Sequence, residues 1–363
     1  MSTGYIVFET GEIFEGEWIG AEVETSGEVV FNTGMTGYQE MITDPSYKGQ
    51  ILTYSYPLIG NYGANGIDNE SGSPSVQGVL TGESCLDYCH FEAVGGFSDY
   101  LQQHGVPGLT GVDTRAVVKA VRSRPTVRAV ITKNPDTVSF EETEFPDGES
   151  LVPSVSVSEP HHTSGGSPHV VLMDYGHKHS IYHALIDAGC SVTVMPYNSS
   201  AEAVRGVNPD GVLFSNGPGD PMDLEEQFEN IRSITKDYPS LGICLGHQLI
   251  ALAYGASSEK MLFGHRGSNH PVKYLPDGSV HMTSQNHGYV ISENSLDSTP
   301  FQPTFINVND KSVEGMKHKE LPVETVQFHP EAHPGPSDTH FIFQSFIEAL
   351  TTGGRKPCTT ASL

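Results

Sequence analysis

Cys244 sits where the chain must turn sharply. It occupies the middle of Gly242-Ile243-Cys244-Leu245-Gly246, after a short apolar run from Ser240 and before residues Leu245, Leu249 and Leu252 or Ala253 at helical spacing, with Gly255 placed to cap the helix. Glycines on both sides lack Cβ atoms, so the backbone can fold tightly and push the side chain outward. A thiol at a helix N-terminus meets unpaired N–H groups and the positive dipole end, which favour thiolate, and the Leu245 N–H can hold an oxyanion. That chemistry is nucleophilic attack on a carbonyl carbon. Taken alone, the stretch is equally compatible with a buried structural cysteine.

A nucleophilic thiolate needs a base and a group to orient the base. Val326–Pro336 supplies His329 and Glu331 just after the strand-like TVQF, 85 and 87 residues beyond Cys244. At i and i+2 in an extended segment the two side chains can face the same side, so Glu331 can hold the imidazole while His329 faces the thiol. Among the other histidines, His333, His177, His179 and the His161–His162 pair read as surface or capping residues; the H-x-H of His177 and His179 in a loop is a weak metal signal, and no metal ligands are assigned. A second loop, SNGPGDP from Ser215 to Pro221, brackets Pro218 with Gly217 and Gly219, whose amides can approach a substrate closely. No G-x-x-x-x-G-K-[ST] occurs, so nothing points to phosphate cradling by this chain.

The elements that must position these residues alternate. VVLMDY from Val170, a helical stretch to Ala188, SVTVMPY from Ser191, a short helix near Ala201, GVLFS from Gly211, a helix opening at Asp223 and LGIC from Leu241 read as short apolar strands separated by helices. The expected fold class is α/β, with a mainly parallel, helix-covered sheet over residues 169–350 and the working loops at the strand C-terminal ends. Residues 1–150 read as a strand-rich mixed domain: apolar/polar alternation runs through YIVFETGEIFEGEWIG and on through EVVFNTGMTGYQEMIT, and Asp113 or Thr114 can cap a helix through Val117, Val118 and Val121. Between them, residues 151–168 have a linker composition, with eleven of the sixteen residues from Pro153 to Pro168 being Ser, Thr, Gly or Pro. Residues 351–363 read as a flexible tail.

Bulk properties narrow the setting. The 363 residues carry 44 acidic against 19 basic side chains, a formal charge of −25, which argues against non-specific binding to nucleic acid or an anionic membrane surface. Five cysteines without a C-x-x-C pair form no disulfide framework, and neither a signal-peptide pattern nor a membrane-length apolar run occurs. The expected setting is cytoplasmic and reducing.

GICLGHQ, SNGPGDP and FHPEAHPGP, in this arrangement, resemble the class I (triad) glutamine amidotransferase domain. FNTGMTGYQEMITDPSYKGQI, YPLIGNYG and GLTGVDTRA in the first half, with FGHRGSNHPV and SQNHGY in the second, extend the resemblance to the small, glutamine-hydrolysing chains of carbamoyl phosphate synthases, from about residue 5 to 350. The resemblance implies Cys244 as nucleophile, His329 as base and acid, and Glu331 as its partner. It implies a glutamine pocket made by Ser46, reaching across from the first domain, with Gly217, Gly219, Leu245, Gln248, Asn286, Gly288 and Tyr289. It also implies L-glutamine as substrate, no cofactor in this chain, and a large partner subunit carrying ATP and a divalent metal, with ammonia passed to it for arginine synthesis, pyrimidine synthesis or both. HFEAV at 90–94, Ser180 in GHKHSI and RSRPTVRAVI at 122–131 depart from the family pattern, bear on packing or the subunit interface, and leave the triad untouched. Other readings of a cysteine triad are an amidotransferase serving a different synthase, a hydrolase of peptides or γ-glutamyl bonds, and a non-catalytic subunit; the first domain counts against the first two and the intact triad against the third.

Overall fold

The computed structural model describes residues 2–146 and 148–352. Its first half is a closed barrel whose strands run, around the barrel, Thr3–Phe8, Ile13–Gly20, Pro107–Thr110, Gly78–Leu80, Gln50–Tyr54, Thr25–Asn32 and Arg128–Thr132. Alternating residues such as Ile6, Phe8, Val29 and Phe31 fill one cluster with Trp18 and the helix Thr114–Val121. That helix is capped as its sequence suggests, with the Asp113 carboxylate accepting from the Ala116 N–H at 2.9 Å.

The strand pattern expected to continue through YQEMIT stops at Asn32. Tyr38–Thr43 is a short helix with five of its six residues buried, so no two-residue alternation holds there. Gly37 starts it in a left-handed conformation, φ 85°, and a Cβ at that position would lie 2.2 Å from Pro334.

The second half is built on a ten-stranded sheet. In spatial order its strands are His161–Thr163, Cys190–Pro196, Gly166–Asp174, Gly211–Phe214, Ser240–Ile243, Val323–Val326, Val313–His318, Phe301–Asn307, Ser258–Tyr274 and Val280–Ile291. The five strands from Cys190–Pro196 to Val323–Val326 are parallel, and antiparallel strands flank them on both sides, so the sheet as a whole is mixed. Both faces of the parallel block are apolar, which is why its strands read as near-continuous hydrophobic runs. Val171, Met173 and Phe214 pack with Ile231, Ile234 and Leu249 on one side, while Val170, Leu172 and Leu213 pack with Ile181, Leu185 and Phe346 on the other.

Three local expectations change. The Ser/Gly/Pro-rich stretch carries structure, because Leu151 and Val152 are buried, His161–Thr163 adds an edge strand, and the next strand begins at Gly166. The helix expected at Asp223 is preceded by a 3₁₀ segment, Pro221–Gln227, opened by the Asp220 cap and broken at Leu224; the α-helix proper is Phe228–Asp237. Thr351 and Thr352 complete the helix Phe341–Thr352, and the rest of the expected tail lies outside the described residues. Among the described residues, no helix is long and apolar enough to cross a membrane, and Cys85, Cys89, Cys190 and Cys244 are free thiols.

Candidate active site

Register places the chemistry. Ile243 pairs with Val326 in parallel, and the Cys244 N–H donates to the Val326 carbonyl at 2.9 Å, so Cys244 and the residues leading to His329 leave adjacent strands side by side. Phe214 pairs with Gly242 on the other side, which brings the Gly217–Gly219 loop to the same edge. All three motifs therefore emerge at the C-terminal ends of neighbouring parallel strands.

Cys244 itself has φ 53° and ψ −104°, a strained backbone for a residue with a Cβ, and the helix Leu245–Ala253 starts immediately after it. The flanking glycines make the turn possible. A Cβ on Gly246 would lie 2.2 Å from the Phe214 carbonyl oxygen, and one on Gly242 would lie 2.8 Å from that of Gly246. At its far end the helix closes as expected, with Gly255 at φ 93° and its N–H donating to the Leu252 carbonyl.

The thiol donates to the Asn286 carbonyl at 3.6 Å and accepts from Gln327 Nε2 at 3.7 Å. His329 Nδ1 donates to Glu331 Oε1 at 2.6 Å, with both residues buried. Burial would lower the His329 pKa, but the Glu331 carboxylate and then Cys244 facing it outweigh that and push it up to about 10. Burial would raise the Glu331 pKa, yet Lys178 and His329 hold it down to about 2. Lys178 is the member of this array that the sequence does not announce. It is 3% exposed, its Nζ lies 3.1 Å from Glu331 Oε1, and it donates to the Ala332 carbonyl at 2.6 Å.

The residues assigned to the pocket come together. Ser46, Gly217, Gly219, Leu245, Gln248, Asn286, Gly288 and Tyr289 line one cleft of about 390 Å³ with Cys244 at its wall. His329 lies behind that wall, on a smaller adjoining hollow with Asp44 and Lys178, and Glu331 is buried beyond it. Ser46 does cross from the barrel: its hydroxyl accepts from Asn216 Nδ2 at 2.9 Å. Gln248 spends its amide N–H groups inside the wall, on the Tyr289 carbonyl at 2.9 Å and Gln327 Oε1 at 3.0 Å.

Asp44 also escaped sequence reasoning. Buried beside Ser46, it accepts from the Ser46 N–H and from Asn286 Nδ2, each at 2.9 Å, and so ties the barrel to the cleft. Two of the departures noted in the sequence find places here. Ser180 donates to Glu70 of the barrel through both its N–H and its hydroxyl, and Phe91 and Val94 project outward at 90% and 81% exposure.

Comparison with known proteins agrees with this geometry. The profile of the glutamine amidotransferase class-I family matches residues 171–349, and that of the carbamoyl-phosphate synthase small chain CPSase domain matches residues 6–131. The chain is 52% identical to the carbamoyl phosphate synthase arginine-specific small chain of Halalkalibacterium halodurans, over 97% of this chain and 98% of that one. It is 47% identical to the arginine-specific small chain of Bacillus subtilis, over 97% and 98%, and 47% identical to the carbamoyl phosphate synthase small chain of Listeria monocytogenes, over 96% and 97%. With near-complete coverage of both chains at this identity, the protein belongs to the carbamoyl phosphate synthase small chain family and carries its class I glutamine amidotransferase domain.

Proposed function

We propose that this chain hydrolyses L-glutamine to glutamate and ammonia through a Cys244 thioester and hands the ammonia to a large, ATP-dependent carbamoyl phosphate synthase subunit in the cytoplasm. The observation that carries the proposal is the convergence of Cys244, His329 and Glu331 at one edge of the sheet, beside a cleft lined by every residue assigned to glutamine.

With the Cys244 proton resident on His329, the sulfur attacks the side-chain amide carbon and forms the C–S bond. The developing oxyanion is held by the Leu245 N–H, which opens its helix and so has no intrahelical acceptor, and by an amide of the Gly217–Gly219 loop. His329, kept protonated by Glu331 and Cys244, gives its proton to the departing ammonia, and the C–N bond breaks to leave the γ-glutamyl thioester. Water then adds to the thioester with His329 as base; the C–S bond breaks and glutamate leaves. Glu331 stays ionised throughout, oriented by Lys178. Ser46 and the backbone of Gly288 and Tyr289 bind the amino-acid end.

ATP and its divalent cation act on the partner subunit. The relatives named arginine-specific favour arginine synthesis over pyrimidine synthesis as the destination.

The test is Cys244→Ala assayed with the large subunit. Glutamine-dependent carbamoyl phosphate formation is expected to vanish while synthesis from added ammonia persists. Normal glutaminase activity in Cys244→Ala would sink the proposal.

A further inference from the structure

The antiparallel wing of the sheet gathers a second set of chemistry-bearing side chains, away from the thiol. His265 on Ser258–Tyr274, His287 on Val280–Ile291 and Glu314 on Val313–His318 are all buried, and His265 pairs with His287 in register. One donor atom from each lies within 4.8 Å of the others.

The outer atoms of both rings are engaged in the way that orients metal-bound imidazoles. His265 Nε2 donates to Asp310 Oδ2 at 2.8 Å, and His287 Nδ1 donates to the Tyr289 carbonyl at 2.9 Å. Those protons leave the lone pairs of His265 Nδ1 and His287 Nε2 turned inward. His265 Nδ1 lies 3.3 Å from Glu314 Oε1 yet makes no hydrogen bond. Ligands about 2.0–2.1 Å from a tetrahedral ion are separated by about 3.3–3.4 Å, so this spacing is a ready coordination edge. His287 Nε2 faces Gln285 Oε1 at 2.9 Å, one acceptor against another. Turning the Gln285 amide over does not relieve this, because its Nε2 donates to Glu314 Oε2 at 3.0 Å and the swap would set oxygen against carboxylate. A cation among these atoms satisfies all of them at once.

We propose that His265 Nδ1, His287 Nε2, a Glu314 carboxylate oxygen and Gln285 Oε1 form a tetrahedral binding site for a divalent transition metal of the Zn²⁺ type. Two imidazoles and a carboxylate are a donor set that zinc favours over calcium or magnesium. Four protein donors close the site, which makes the ion structural. The strand that carries His287 also carries Asn286, Gly288 and Tyr289, so the ion braces the wall of the cleft.

The test is zinc content and affinity of the full-length chain after chelation, reloading with Zn²⁺ and gel filtration. Wild type is expected to retain one equivalent. Glu314→Gln, which keeps the side-chain shape, is expected to weaken binding by more than about 100-fold, and Asp310→Asn by about 10- to 100-fold, the range for lost outer partners. His161→Ala, at an exposed histidine, is expected to change nothing. Co²⁺ loaded into wild type is expected to give the intense visible absorption of a four-coordinate site, a readout that needs no variant to fold. Equal zinc retention by wild type and Glu314→Gln, a six-coordinate Co²⁺ spectrum, or no retention by wild type overturns the proposal; the last outcome leaves His265 as the proton-carrying partner of Glu314.

Discussion

Two fully buried glutamates in this protein each face a histidine, and they are balanced differently. Glu331 lies between His329 and Lys178, so a permanent cation matches its charge, and the imidazole also faces Cys244. Among the described residues, Glu314 has no lysine or arginine as a polar partner. It accepts from Asn307 Nδ2 at 3.1 Å, Gln285 Nε2 at 3.0 Å and the Ser312 hydroxyl at 3.3 Å, and among the described residues its ionic neighbour is His265, whose Nδ1 lies 3.3 Å away. A buried carboxylate backed by an ammonium keeps one charge state and can orient a base. A buried carboxylate backed by an imidazole depends on what that imidazole carries, a proton or a metal.

Substituting glutamine at both positions separates the two cases. The largest loss is expected for Glu331→Gln, because Lys178 would then be buried with its charge unmatched at close range; breaking a buried pair from one side costs about 3–5 kcal/mol. Denaturant unfolding at pH 7 measures it. The sign with pH follows from the depressed Glu331 pKa, about 2 against the usual 4.5: its stabilisation is fully present above pH 4.5 and is lost as pH falls through 2. The gap between wild type and Glu331→Gln is therefore expected to shrink in acid. A gap unchanged down to pH 2 would mean that Glu331 does not carry the charge assigned to it. Glutaminase turnover should fall at least about tenfold, since His329 loses the carboxylate that orients it.

Glu314→Gln is expected to cost less in metal-free protein, about 1–2 kcal/mol. One of its two amide donors would be set against an existing N–H, a mismatch of roughly that size. His265, unlike Lys178, can be neutral at pH 7 and so is not stranded as a charge. If Glu314→Gln proves as damaging as Glu331→Gln, the contrast between ammonium and imidazole partners fails.

The sharp turn at Cys244 was legible in the sequence because its constraints are local: two glycines, one thiol and a helical repeat all fall within Ser240–Gly255. His329 and Glu331 were legible for the same reason, as an i, i+2 pair after a strand. Lys178 was not, because the carbonyl it binds is 154 residues away and nothing in GHKHS marks it. Asp44 reads as an ordinary turn cap, and only the fold brings Asn286, 242 positions on, to its carboxylate. His265, His287 and Glu314 belong to three strands joined by sheet register, so no spacing motif connects them. The helix Tyr38–Thr43 was hidden in an alternating pattern because the His333–Pro334 loop, far along the chain, packs against Gly37 where that pattern breaks. Local geometry can be read from local sequence, whereas charge balance across the interface of barrel and sheet cannot.

The smallest effect expected of these substitutions lies at that same interface, nearer to water. Lys260 Nζ pairs with Glu28 Oε1 at 3.0 Å, joining the sheet wing to the barrel at the mouth of the cleft, with side chains 30% and 25% exposed. The Lys260 ammonium also lies 5.5 Å from the centre of the Tyr289 ring. Glu28 additionally accepts from Gln50 Nε2 at 3.2 Å, so its geometry is well held. Solvent nevertheless screens the pair, and ion pairs of this kind are worth about 0–1 kcal/mol. Glu28→Gln is therefore expected to lower stability by less than about 1 kcal/mol, with the difference fading as salt is raised toward 1 M, where the screening length falls to about 3 Å. Glu331→Gln should keep most of its deficit under the same salt, because its partner is sealed from ions. Equal salt sensitivity in the two variants would show that burial does not separate these interactions, and the distinction between the sealed Glu331 array and the open rim of the cleft would fall with it.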